Sequence, residues 1–141
     1  MRILALDVGA KRIGLAVSDP LGLTAQGLGI LERRSREEDL ARLAEVAREY
    51  RVQEILVGLP RHMSGRLAAQ AEEILELARE LGQALNLPVT PWDERLSSRE
   101  AERVLLTADV SRRRRRQVLD KMAAVLILQA YLDRRQTSAE P

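Results

Sequence analysis

The chain has 141 residues, enough for one domain with a sizeable core. Its net charge of +2, with 31% charged residues, describes a mixed surface and excludes a polycation. The absence of cysteine excludes disulfides and thiolate metal sites, no stretch approaches the ~20 apolar residues of a membrane span, and the N-terminus lacks a signal-peptide layout, so a soluble cytoplasmic protein with no membrane contact is expected.

Residues 2–8 read as a strand, and residues 12–18 as a second one. A tight turn at Gly9 to Lys11 joins them as a hairpin. Thr24 to Leu31 reads as a third strand after the Pro20/Gly22 break. Ser35 precedes Glu37 and Glu38, an N-cap followed by acids at the positive end of a helix dipole. Leu40, Leu43, Ala44, Val46 and Ala47 give that helix its apolar stripe up to Tyr50. Val52 to Leu59 reads as a buried strand, followed by a loop over Arg61 to Gly65 and a long helix from Leu67 to Leu85. Pro88 to Trp92 is a short strand. Ser97 or Ser98 caps a further helix, which Thr107 to Ser111 breaks. The last helix runs from the arginine run to about Arg135. A hairpin followed by strands alternating with helices predicts an α/β fold with a mixed sheet. One domain over residues 1–136 is expected, with a frayed tail over 137–141.

Three acidic positions stand among apolar or small neighbours. Asp7 closes the apolar run Ile3-Leu4-Ala5-Leu6, where a carboxylate is costly unless it is paired, hydrogen-bonded or metal-bound. Asp93 and Glu94 follow the strand Val89-Thr90-Pro91-Trp92. Asp120 falls on the same helical face as Ala123, Ala124 and Ile127. Two strand ends and one packed helix can gather these acids at a sheet edge. Clustered carboxylates repel one another unless cations neutralise them, and Mg²⁺ or Mn²⁺ favour such oxygen ligands. Each acid also has a plainer explanation. Asp7 can cap the turn, Asp93 or Glu94 can pair with Arg95 or Arg99, and Asp120 can pair with Arg116 or Lys121. The single histidine, His62, is given no catalytic role.

The basic residues are nearly all arginine, with Lys11 and Lys121 the only lysines. Arginine's planar fork suits phosphate, although a genome-wide bias explains the preference equally well. Arg112, Arg113, Arg114, Arg115 and Arg116 are five arginines in a row. They read either as a basic flap that binds a nucleic-acid backbone or as a solvated helix start. Lys11 and Arg12, beside Asp7, either steady a phosphate or form an exposed hairpin tip. Arg95 either orients Glu94 or contacts phosphate. With Trp92, Tyr50 and Tyr131 as the only aromatics, base stacking on an aromatic platform is not expected.

Four ordered motifs together resemble the YqgF family, also called RuvX. They are Asp7-Val8-Gly9-Ala10-Lys11-Arg12-Ile13-Gly14-Leu15-Ala16, then Val57-Gly58-Leu59-Pro60 with Met63 and Gly65, then Asp93-Glu94-Arg95-Leu96-Ser97-Ser98, then Asp120-Lys121-Met122-Ala123-Ala124 with Ile127-Leu128-Gln129. Serines stand after Arg95 and Leu96 where the family often carries threonine. The resemblance implies an RNase H-like fold, a mixed five-stranded sheet flanked by helices. It also implies a nuclease that needs Mg²⁺ or Mn²⁺ and hydrolyses phosphodiester bonds in structured nucleic acid. By that match Asp7, Glu94 (or Asp93) and Asp120 are the catalytic carboxylates and metal ligands. The expected substrate is structured RNA at the 5′ end of pre-16S ribosomal RNA, which would place the chain in ribosome biogenesis. The alternative is branched DNA at a Holliday junction, where a homodimer rather than a monomer is favoured. A non-catalytic RNA-binding assembly factor is a further alternative. An ATPase reading of the Asp-x-Gly opening needs two copies of the fold, and the chain has length for one.

Overall fold

The opening apolar run forms β1 (Ile3–Val8), which pairs antiparallel with β2 (Arg12–Ser18) across the expected turn. The structure is a computed structural model that describes residues 1–60, 69–93 and a helix over 112–139; the side chains of 112–121 and 136–139 lie outside the description. β3 (Ala25–Glu32) pairs antiparallel with β2. Its register shifts by one residue, with Leu15 opposite Gly29 and Ala16 opposite Gly27. Gly29 has φ +113°, a backbone shape that L side chains resist, so the bulge falls where a glycine tolerates it.

Helix α1 (Arg36–Glu49) crosses to β4 (Glu54–Leu59), parallel to β1. Ser35 caps α1 as expected, its hydroxyl accepting from the Glu38 N–H at 3.1 Å. Helix α2 (Ala71–Leu85) crosses to β5 (Val89–Asp93), parallel to β4. The last helix, α3, is Arg112–Ala139. The sheet order is β3-β2-β1-β4-β5, the expected mixed five-stranded sheet.

Side-chain alternation divides this sheet between two cores. Leu4, Leu6 and Val8 of β1 pack with Val57 and Leu59 against α1 and α2. Ile3 and Ala5 pack with Leu56 against Ala124, Ile127, Leu128 and Leu132 of α3. α3 runs back along the strands. Its Ile127 lies against Gly58, while Tyr131 and Arg135 reach Glu54 at the start of β4.

The strands β3, β4 and β5 fall within two residues of expectation, and two helix boundaries differ by more. α2 begins at Ala71 rather than Leu67, after a turn at residues 69–70, and residues 67 and 68 lie outside the described residues. α3 continues through Ala139 instead of ending near Arg135. No glycine or proline occurs between Arg135 and Ala139 to stop it, and the only proline beyond is Pro141. The loop expected over Arg61 to Gly65, the helix capped at Ser97 or Ser98 and the break at Thr107 to Ser111 lie outside the described residues.

Candidate active site

Asp7 is the penultimate residue of β1 and sits opposite Gly14 of β2. By alternation it continues the Ile3–Ala5 face, so it lies on the α3 side of the sheet. It is half-buried, where every other residue of β1 is buried. The following turn is closed by the Gly9 N–H, which donates to the Arg12 carbonyl at 2.8 Å.

Gly58, on β4, allows α3 to approach this part of the sheet. A Cβ there would stand 2.6 Å from Ile127 Cδ1. The buried stripe Ala124, Ile127, Leu128 of α3 faces Asp7's side. Position 120 lies one turn before Ala124 and two before Ile127, on that same stripe. Because α3 runs back along β4, position 120 lies beyond Ile127 in the direction of the strand ends where Asp7 sits.

Asp93 does not join this face. It closes β5 opposite Leu59, whose side chain packs with the α1/α2 core. Its neighbour Trp92, opposite Gly58, is on the α3 side and meets Tyr131 edge-on at 5.6 Å. Asp7 and Asp93 therefore belong to opposite faces. Glu94 and Arg95 lie outside the described residues, as does the side chain of Asp120. The arginine run does begin the last helix, as expected: Arg112, Arg113, Arg114, Arg115 and Arg116 form the first turn and more of α3. Their side chains lie outside the described residues, so the phosphate-binding role expected of Arg113, Arg114, Arg115 and their two neighbours stays an expectation. Among the described residues no three acids or histidines are grouped to hold an ion.

Among the described residues, three cavities border the β1–β2 turn. A cavity of about 460 Å³ is lined by Asp7, Gly9, Arg33, Gly58 and Glu73 among others. Another, of about 550 Å³, is lined by Lys11, Arg12, Arg33, Arg34 and Glu73 with their neighbours. Asp7, Lys11 and Arg12 also share a cavity of about 290 Å³. The sequence reading placed Lys11 and Arg12 beside Asp7, and the structure brings the three together.

Two buried acids escaped that reading. Asp39 of α1 is fully buried and accepts from the Arg34 N–H at 2.9 Å, Arg42 Nη2 at 3.0 Å and Arg33 Nε at 3.4 Å. Burial alone would push its carboxyl up, but these hydrogen bonds outweigh burial and hold it below the ordinary aspartate range. Arg33 in turn donates from Nη1 to the Gly9 carbonyl at 3.0 Å. Glu54 accepts from Tyr131 at 2.7 Å, Thr90 at 2.8 Å and Arg135 at 3.3 Å. Burial and then the Glu54 hydrogen bond push the Tyr131 phenol up. Helical period was the available signal for Asp39, which stands one turn before Leu43. For Glu54 the signal was a charge directly before the apolar run Ile55-Leu56-Val57, within the expected strand.

Relatives extend over almost the whole chain. A protein of Symbiobacterium thermophilum is 58% identical over 135 residues, spanning 96% of this chain and 94% of its own length. One of Syntrophomonas wolfei is 56% identical over 133 residues, spanning 94% of each chain. Both carry the name "Putative pre-16S rRNA nuclease". The model of a family described as "RuvX: Holliday junction resolvase" matches residues 1–134. The chain belongs to the RuvX family. With that membership it is a nuclease, a hydrolase acting on phosphodiester bonds. Solved structures place its RuvX sheet and helices in the RNase H-like fold. Thermus thermophilus RuvC in complex with Holliday junction substrate superposes with a TM-score of 0.67 at 17% identity, over 100% of this chain and 99% of that one. Fowlpox virus resolvase, also solved with Holliday junction DNA, gives 0.54 at 12% identity over 99% and 100%.

Proposed function

We propose that this RuvX-family protein cleaves structured RNA at the 5′ end of pre-16S ribosomal RNA in the cytoplasm, with Mg²⁺ or Mn²⁺ held by Asp7, Glu94 and Asp120. The observation that carries this reading is the position of Asp7. It is a half-buried carboxylate at the end of the central strand, facing the helix whose inward stripe includes position 120. Glu94 is preferred to Asp93 because Asp93 shares the face of Leu59, away from Asp7.

The donor chemistry fits a hard divalent cation. An all-carboxylate set of hard oxygens is what such ions select. The other buried acids are already satisfied, Asp39 by arginines and Glu54 by Thr90, Tyr131 and Arg135. A bound divalent ion supplies Lewis-acid polarisation of the phosphate and a more acidic water. The chain's own residues do the rest. The strand and helix frame holds the carboxylates, and the turn offers Lys11 and Arg12 to the sugar–phosphate backbone. Arg95, with Arg112, Arg113, Arg114, Arg115 and Arg116, adds cationic charge for phosphates beyond the cut. The matched relatives' name supports the ribosomal substrate.

The test is cleavage of a pre-16S 5′ extension across a titration of Mg²⁺ and Mn²⁺. Asp7→Asn, Glu94→Gln and Asp120→Asn each lower the rate about a thousandfold or more, while Asp93→Asn retains most of it. Metal-free cleavage, or full activity of Asp7→Asn, overturns the reading. The family description favours a second reading, resolution of a four-way DNA junction by a homodimer.

A further inference from the structure

Arg33 stands outside the motif residues, in the link between β3 and α1, yet it borders both the cavity of Asp7 and the cavity of Lys11 and Arg12. Two corners of its guanidinium are fixed. Nε donates to Asp39 at 3.4 Å, and Nη1 donates to the Gly9 carbonyl at 3.0 Å, two residues from Asp7. Its backbone N–H also donates to the Lys11 carbonyl at 2.9 Å, which ties the same residue to the basic side of the turn. The side chain keeps 20% of its exposure, and Nη2 has no hydrogen-bond partner among the described residues.

We propose that Arg33 binds a backbone phosphate of the substrate strand, one that lies between the Asp7 site and the Lys11–Arg12 tip, with Asp39 as the positioning residue that sets its guanidinium. This rests on the nuclease reading and extends its substrate surface. The physical case is preorganisation. A free arginine loses rotamer freedom when it clamps a phosphate, whereas Arg33 is already held at two points before any strand arrives. Asp39 holds the Nε corner because its own carboxylate is buried and ionised, while the Gly9 carbonyl holds Nη1. Asp39 does not cancel the site's charge, since it is shared between the guanidinium groups of Arg33 and Arg42, and the cavity beside the tip sets Lys11, Arg12, Arg33 and Arg34 against Glu32 and Glu73. The turn and the β3–α1 link thereby present Lys11, Arg12 and Arg33 along one cavity, a short cationic track for consecutive phosphates.

The experiment measures binding of a 5′-labelled stem-loop RNA with a single-stranded extension, in EDTA so that nothing is cut, at several salt concentrations, and follows cleavage of the same RNA separately in Mg²⁺. Arg33→Gln binds about tenfold more weakly, and the slope of log Kd against log salt falls by about 0.7, the value of one single-strand phosphate contact. Arg33→Lys retains the slope, because the charge remains, but binds more weakly than the native protein because the fork is lost. Thermal melts fix the temperature at which all three proteins are fully folded. An unchanged slope in Arg33→Gln overturns the proposal even if its cleavage rate falls, since that outcome leaves Arg33 only as a brace for the turn. If no protein cleaves but the slope difference persists, the nuclease reading fails and the phosphate site stands. If the native protein does not bind RNA at all, both fail.

Discussion

Asp39 and Asp7 are both aspartates set against the sheet's apolar layers, and their surroundings separate them. Asp39 is sealed and held by three arginines, one through its backbone N–H, so its charge is compensated from within the chain. Asp7 is half-open and borders two cavities, as its proposed role of metal ligand requires. The sequence made Asp7 legible because it interrupts a strand next to glycines. Asp39 was concealed by the acidic first turn Glu37-Glu38-Asp39, which reads as ordinary dipole complementation. A carboxyl whose folded pKa lies below its unfolded one adds stability above the unfolded value, about 3.9, and loses it as the pH falls further. Asp39→Asn therefore destabilises the protein at pH 7 by about 2 kcal/mol. This is less than the ~3–5 kcal/mol of breaking a fully buried pair, because Arg33 and Arg42 keep 20% and 28% of their exposure. Denaturant melts of both proteins at pH 7 and again below pH 4 check this, with the gap between them narrowing in acid.

Among the elements, α3 controls the proposed site because it carries position 120, a proposed ligand, and its seat on the sheet is set by Gly58. The helix and its inward stripe were readable from the spacing of Asp120, Ala124 and Ile127. The closeness of that seat was not, since a glycine in a strand signals a close approach without naming the partner. Here the partner is Ile127, 1% exposed and enclosed by Leu56, Ala124 and Leu128. Gly58→Ala places its methyl 2.6 Å from Ile127 Cδ1, so the isoleucine must leave its rotamer or α3 must shift. The expected cost is about 1–2 kcal/mol, with a larger fractional loss of cleavage than of stability, because a displaced α3 moves position 120 relative to Asp7. Ile127→Val removes the clashing carbon, so the double variant recovers part of both. A calorimetric melt and a cleavage assay on the same four proteins check the coupling, and strictly additive effects would reject it.

For the whole molecule, the order hairpin, third strand, helix, strand, helix, strand, helix was legible in chain order because β1, β2 and β4 are apolar runs, turn residues separate the strands and each crossover helix carries its own stripe. The split into two cores was not, because it depends on which face each strand turns to which helix. That split now bears on substrate choice. α1 and α2 cover one face and α3 the other, so the strand ends around Asp7 lie at one rim of a two-sided layer. With the proposed site at that rim, each chain makes one cut. Processing an RNA end needs a single cut per site, whereas resolving a four-way junction needs two cuts placed symmetrically, hence two copies of the chain. The two substrates therefore predict different mass dependence. Sedimentation and cleavage measured over the same range of protein concentration separate them. Cleavage of a pre-16S 5′ extension should proceed at a rate per chain that is independent of concentration, including where the protein sediments as a monomer. Junction resolution should appear only where the dimer forms, and should show paired cuts. Paired junction cuts by a stable dimer, with an inert pre-16S extension, would make DNA the substrate. The carboxylate site would then be unchanged, and only the surface that brings two rims together would remain to be found on this chain.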